Sequence, residues 1–138
     1  DVVQATPGPV VLVAHSLGCA LVAAWAKFSR HSARVQAALL VAPPDLGQDA
    51  LRYGLPGWYP VVQDPLPFAS TVVASRNDAL CTWSHAHTLA QAWGSQLVDA
   101  GERGHLNAES GLGDWPEGLA LLKTLRNHHP AAAPASIF

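Results

Sequence analysis

Apolar positions along the chain fall into two alternating kinds of run. Val10 to Ala14 is a continuous aliphatic stretch preceded by Pro7, Gly8 and Pro9, the pattern of a strand buried on both faces. Leu17 to Arg30 is Ala-rich, carries Trp25 and Phe28 at helical spacing and gives out at the polar His31 and Ser32, which predicts a helix. Val35 to Ala42 repeats the strand pattern and stops at Pro43 and Pro44, neither of which can donate to a ladder. Residues 43 to 67 are rich in Pro and Gly, with one short helical turn expected near Asp49 to Tyr53; a connection of that length in a compact domain is usually functional. Thr71 to Ser75 is predicted as a third strand, Thr82 to Trp93 as a helix and Ser95 to Asp99 as a fourth strand. Trp115 to Arg126 reads as a closing helix with Pro116 in its first turn. Strands alternating with helices imply an α/β fold, a mainly parallel sheet with right-handed crossovers and helices on both faces.

Composition sharpens this picture. Of 138 residues 49% are apolar and 13% charged, too greasy for intrinsic disorder, so residues 1–129 are expected to form one domain. The segment from Pro130 to Phe138 is largely Ala and Pro and is expected to be a disordered tail. Eight basic against ten acidic residues, with no basic stripe, argue against nucleic acid as a partner. The aliphatic runs are far shorter than a bilayer span, which argues against a membrane. Cys19 and Cys81 are too few for a disulfide framework or a four-ligand zinc site, and reduced thiols point to the cytoplasm. Met is absent, so Asp1 is not expected to be the translational start and the native chain is expected to be longer.

The chemistry sits where the predicted strands end. Ser16 stands between the first strand and the first helix, flanked two positions away by Ala14 and Gly18. A serine held on such a sharp turn needs small residues at both places, since larger side chains would collide across it. Ser16 could instead merely cap the helix. A hydroxyl nucleophile needs a base oriented by an acid, and His105 and Asp78 both follow predicted strands, in the order Ser, Asp, His of the α/β-hydrolases. In a parallel sheet all three lie at the carboxyl edge, where open α/β sheets place their sites. Asp45, after the second strand, is a rival acid at the same edge, and Cys19 in its Ala-rich helix reads as core. His85 and His87 are two apart and diverge on a helix, so no metal and no cofactor are expected. Trp58 and Tyr59 in the long connection, together with His15 beside the serine, are candidate substrate-binding residues.

From about Val10 to Leu125 the chain resembles the small YdeN-type serine hydrolases, a family also named after a retinoblastoma-binding protein. The resemblance rests on AHSLGC at 14–19, SRNDALC at 75–81 and GHLNAESGLGDWPEG at 104–118. It implies an α/β-hydrolase without a large cap domain, with Ser16 as nucleophile, Asp78 as acid and His105 as base, cleaving small ester, thioester or amide substrates through an acyl-enzyme. The match at SRND favours Asp78 over Asp45. The family also opens with strands and a glycine-containing loop that supplies one oxyanion donor. The resemblance implies that these precede Asp1 and leaves the Leu17 N–H as the donor within the chain. Without them the first strand would be an exposed apolar edge inviting self-association. A second class of function is an inactive hydrolase-fold module that acts by binding a protein, although partner binding does not require Ser16, Asp78 and His105 together.

Overall fold

A computed structural model of the chain describes residues 8–48, 61–106, 116–128 and 133–137. Its strands are β1 (Val10–His15), β2 (Val35–Val41), β3 (Ala69–Ala74), β4 (Gln96–Asp99) and β5 (Ala133–Ile137). They form one sheet in the order β4-β3-β2-β1-β5, and each neighbouring pair is parallel. The helices are α1 (Leu17–Phe28), α2 (Trp83–Trp93) and α3 (Pro116–His128). Among the described residues there is no cap domain, and no helix is long and apolar enough to cross a membrane.

The continuous apolar run of β1 is explained by cover on both faces. Val10, Leu12 and Ala14 point to one side, into a core shared with Cys19 and Val22 of α1 and with Leu89 and Trp93 of α2. Val11 and Val13 point to the other, where Leu122 and Leu125 of α3 pack. Side chains alternate across a strand, so a strand between two helical layers can spare no polar residue on either face. β2 behaves likewise, with Ala38 and Leu40 under α1 and α2, and Ala37, Leu39 and Val41 under α3. An irregularity between Val10 and Val11 lets the register jump from Val10↔Val35 to Val11↔Ala37 and leaves Gln36 as the exposed residue of β2.

Element ends differ from the expected ones for local reasons. α1 stops at Phe28, two residues early, because Ser29 is extended at φ −84° and ψ 144° and its hydroxyl accepts the His31 N–H at 3.0 Å. A serine that bonds its own neighbouring backbone competes with the helix in this way. Thr82 caps α2 by accepting the His85 N–H at 3.1 Å, and Gly94 closes it in the left-handed region at φ 72°. The long connection is held at its far end, where the Leu66 N–H donates to the Trp93 carbonyl at 3.0 Å and the Trp93 ring N–H donates to the Val62 carbonyl at 2.9 Å. The helical turn expected near Asp49 to Tyr53 lies outside the described residues.

One expectation is overturned. Instead of a disordered tail throughout, Ala133–Ile137 form β5, which pairs in parallel with β1 from Val10↔Ala133 to Ala14↔Ile137. The edge of β1 expected to be bare is thereby covered, and β5 takes the edge position, where Pro134 is tolerated. Pairing with a central strand overrides the poor strand propensity of the Ala-Pro composition.

Leu12 is fully buried on an interior strand of the sheet, while Leu119 on α3 is about half exposed. Leu12→Ala is expected to lower unfolding stability by about 2–5 kcal/mol, and Leu119→Ala to leave it within about 0.5 kcal/mol, as read by urea denaturation.

Candidate active site

The turn from β1 into α1 places Ser16 at φ 56° and ψ −122°, a conformation an L-residue avoids. The flanking elements hold it there. The Ser16 N–H donates to the Val41 carbonyl of β2 at 2.9 Å, and the Ser16 carbonyl accepts the Cys19 N–H at 2.9 Å. The hydroxyl makes no capping bond to α1, so helix capping does not account for the serine. It is turned instead toward the loop that follows β4.

That loop carries His105. The Ser16 hydroxyl donates to His105 Nε2 at 2.8 Å, and the opposite ring nitrogen, Nδ1–H, faces the Asp78 carboxylate at 2.8 Å from Oδ2 and 3.0 Å from Oδ1. The tautomer follows from these partners, since a carboxylate only accepts and a hydroxyl can donate. Asp78, on the loop after β3, is 3% exposed at its side chain, against 14% for His105. A carboxylate so deeply placed needs donors, and besides the imidazole its Oδ1 accepts the Leu80 N–H at 2.9 Å. A hydroxyl, an imidazole and a buried carboxylate in one hydrogen-bonded line can pass a proton from the alcohol to the ring as the oxygen attacks an electrophile, while the carboxylate steadies the imidazolium.

The other predicted residues sort themselves by contact. Leu17 is the first residue of α1, so its N–H has no acceptor within the helix and lies at the helix's positive end. His15 reaches the same loop as Ser16, its Nε2–H donating to the His105 carbonyl at 3.0 Å with the two rings 5.1 Å apart between centroids. Asp45, the rival acid, does not meet His105: its Oδ1 stands 3.4 Å from His85 Nε2 and accepts the Gly47 N–H at 2.9 Å. Trp58 and Tyr59 lie outside the described residues. Among the described residues no group of three or more His, Cys, Asp or Glu could hold a metal ion. Sequence reasoning passed over Ser75 and Asn77, which bond the loop of His105 from the loop of Asp78; their signal was the Ser-x-Asn spacing of a local turn.

The parallel sheet, the serine turn after β1 and an aspartate and a histidine on the loops after β3 and β4 match the arrangement of an α/β-hydrolase fold. A family model described as serine hydrolase matches residues 1–124, and the chain belongs to that family. Among solved structures it is similar to a protein named as a YdeN-like hydrolase from Pectobacterium atrosepticum, with 32% identity and a TM-score of 0.76, covering 90% of this chain and 63% of that one. The ydeN gene product of B. subtilis aligns at 20% identity with a TM-score of 0.67, over 85% of this chain and 65% of its own. A protein of Xanthomonas campestris, named as a hydrolase of the alpha/beta superfamily, aligns at 24% identity and 0.56, over 85% of this chain and 60% of its own. The latter two likenesses speak for the fold. The chain therefore spans less than two thirds of the length of these three proteins. No curated protein matches it.

Both thiols beside the site are held protonated. Burial drives the Cys19 thiol far above its ordinary range, and it donates to the Val41 carbonyl at 3.4 Å. Burial, followed by the nearby Asp78 and Asp45 carboxylates, pushes Cys81 up to about 12. Since the thiolate is the reactive form, iodoacetamide at pH 8 is expected to leave both cysteines unmodified in the folded protein and to alkylate both in urea. The raised folded value means that Cys81 contributes stability fully below about 9, the ordinary thiol value, and loses it as pH rises toward about 12. Alkaline unfolding followed by circular dichroism should show that loss, and rapid alkylation of the folded protein at pH 8 would contradict it.

Proposed function

We propose that the protein is a serine hydrolase of esterase type in which Ser16 is the nucleophile, His105 the general base and acid, and Asp78 the orienting carboxylate. The observation that carries this reading is the unbroken line from the Ser16 hydroxyl through His105 to Asp78 at a strained strand-to-helix turn. Membership of the serine hydrolase family supports it. In the first half-reaction the Ser16 proton passes to His105 Nε2 as Oγ bonds to the carbonyl carbon of a small ester, thioester or amide. The oxyanion that forms is stabilised by the Leu17 N–H and the positive end of α1. The tetrahedral species collapses to a seryl ester as the leaving group departs with the proton from His105. In the second half-reaction water gives its proton to His105 and its oxygen to the acyl carbon, and Ser16 leaves reprotonated. His105 can serve both halves because Asp78 holds Nδ1–H and keeps Nε2 free to exchange the proton. The free, buried Cys19 and Cys81 are consistent with a reducing compartment such as the cytoplasm.

Ser16→Ala is expected to abolish hydrolysis of short p-nitrophenyl esters without changing the fold, and replacing His105 to be about as damaging, because these groups act as a unit. Asp78→Asn is expected to lower turnover by up to about ten-thousandfold by favouring the wrong imidazole tautomer. Asp45→Asn, whose carboxylate serves His85, should stay within a few-fold of the parent. Steady-state kinetics on the purified proteins decide this, and the reverse ranking of the two aspartates would move the acid to Asp45.

A further inference from the structure

Asp78 and His105 sit on different loops, after β3 and β4, and nothing in either loop's own sequence sets the distance between them. Beyond the backbone bond from the Arg76 N–H to the Gly101 carbonyl at 2.8 Å, two side chains without a part in the chemistry do so. The Ser75 hydroxyl, 1% exposed, donates to Asn77 Oδ1 at 2.8 Å and accepts the Arg103 N–H at 2.9 Å and the Asn77 N–H at 3.4 Å. Asn77 Oδ1 in turn accepts the Gly104 N–H at 2.8 Å. A hydroxyl offers one proton and two lone pairs and an amide oxygen two lone pairs, so both groups are fully used. The Ser75 proton and the Gly104 N–H both demand an acceptor at that point, which fixes which end of the Asn77 amide faces the His105 loop.

The position of this staple gives it its consequence. Asn77 immediately precedes Asp78, Gly104 immediately precedes His105, and the bond between them ties the two loops one residue upstream of both partners. The base loop needs such a tie. Gly104 at φ 60° and Leu106 at φ 55° flank His105 with two left-handed residues, and the Leu106 conformation is one that a branched side chain avoids. Leu106 is buried beside Val13 and Val73, and His15 holds the His105 carbonyl, but neither contact sets the ring against Asp78.

We infer that Ser75 and Asn77 are positioning residues that hold the Asp78 and His105 loops in register through the Ser75 Oγ–Asn77 Oδ1–Gly104 N–H chain. The inference rests on the proposed roles of Asp78 and His105 and adds to them the device that keeps the pair in line. It also distinguishes Ser75 and Asn77 from Arg76 between them, whose guanidinium turns outward to Asp99 at 2.6 Å and over the Trp83 ring at 4.4 Å.

The test compares the parent with Ser75→Ala, Ser75→Thr, Asn77→Ala and Arg76→Ala, measuring kcat and KM on a p-nitrophenyl ester, the unfolding temperature and the low-field proton resonance of His105 Nδ1–H. Asn77 is exposed, so Asn77→Ala remains informative even if Ser75→Ala fails to fold. Ser75→Ala and Asn77→Ala are expected to lose about a hundredfold in kcat with KM within a few-fold, as displacement of a reacting group by an ångström does, and to lose or broaden the low-field resonance. Ser75→Thr, which keeps the hydroxyl, should restore both, and Arg76→Ala should stay within a few-fold of the parent. An Asn77→Ala protein that keeps the parent's resonance and kcat would overturn the inference. A parent that shows the resonance but hydrolyses no ester would count against the proposed function alone, and the resonance in the variants would still decide the role of the staple.

Discussion

Ser16 occupies a left-handed conformation that costs about 1–3 kcal/mol, and the arrangement of the site depends on that cost being offset. β2 and α1 offset it together. Val41 takes the Ser16 N–H at the end of a strand buried on both faces, and Cys19 closes the first turn of the helix onto the Ser16 carbonyl. The apolar core that keeps β1, β2 and α1 in contact is thus also what presents the hydroxyl. A relaxed helix cap would point the same side chain at the N–H groups of its own helix, where it could not meet His105.

The same parallel sheet brings the partners to the serine. With every strand running one way, the loops after β1, β3 and β4 emerge at one edge, although Ser16 and His105 are 89 residues apart in the chain. Backbone bonds continue the sheet into the loops: the Ala100 N–H donates to the Ala74 carbonyl at 2.9 Å and the Arg76 N–H to the Gly101 carbonyl at 2.8 Å. Side chains take over where the ladder ends, with Ser75 and Asn77 on one loop and the backbone of Arg103 and Gly104 on the other. Asp45 is drawn off to His85 on α2, which leaves His105 to a single carboxylate.

Much of this was legible in the sequence. β1 and β2 were visible because strands covered on both faces are apolar along their length, as Val10 to Ala14 and Ala37 to Val41 are, while β3 and β4 were marked by shorter apolar runs beside the turn and helix signals. Ser16, Asp78 and His105, which the fold brings into one hydrogen-bonded line, were candidates because Ser16 follows the first strand at once and the other two lie on loops after later strands. Errors arose where tertiary contact outweighs local preference. Ala133–Ile137 has the composition of a tail and becomes a strand through its pairing with β1, and α1 ends early because Ser29 turns its hydroxyl onto the backbone. The roles of Ser75 and Asn77 were hidden for the same reason, since which loop they bond depends on how β3 and β4 pair.

Whether His105 activates Ser16 for attack on an electrophile can be read from active-site phosphonylation. The protein is treated with a fluorophosphonate, its intact mass is recorded, and the modified peptide is located by tandem mass spectrometry, with a His105→Ala protein alongside. One phosphonyl group per chain is expected, on the peptide containing Ser16, and its near absence when His105 is replaced. Stoichiometric labelling at another residue, or equal labelling of Ser16 without His105, would contradict it.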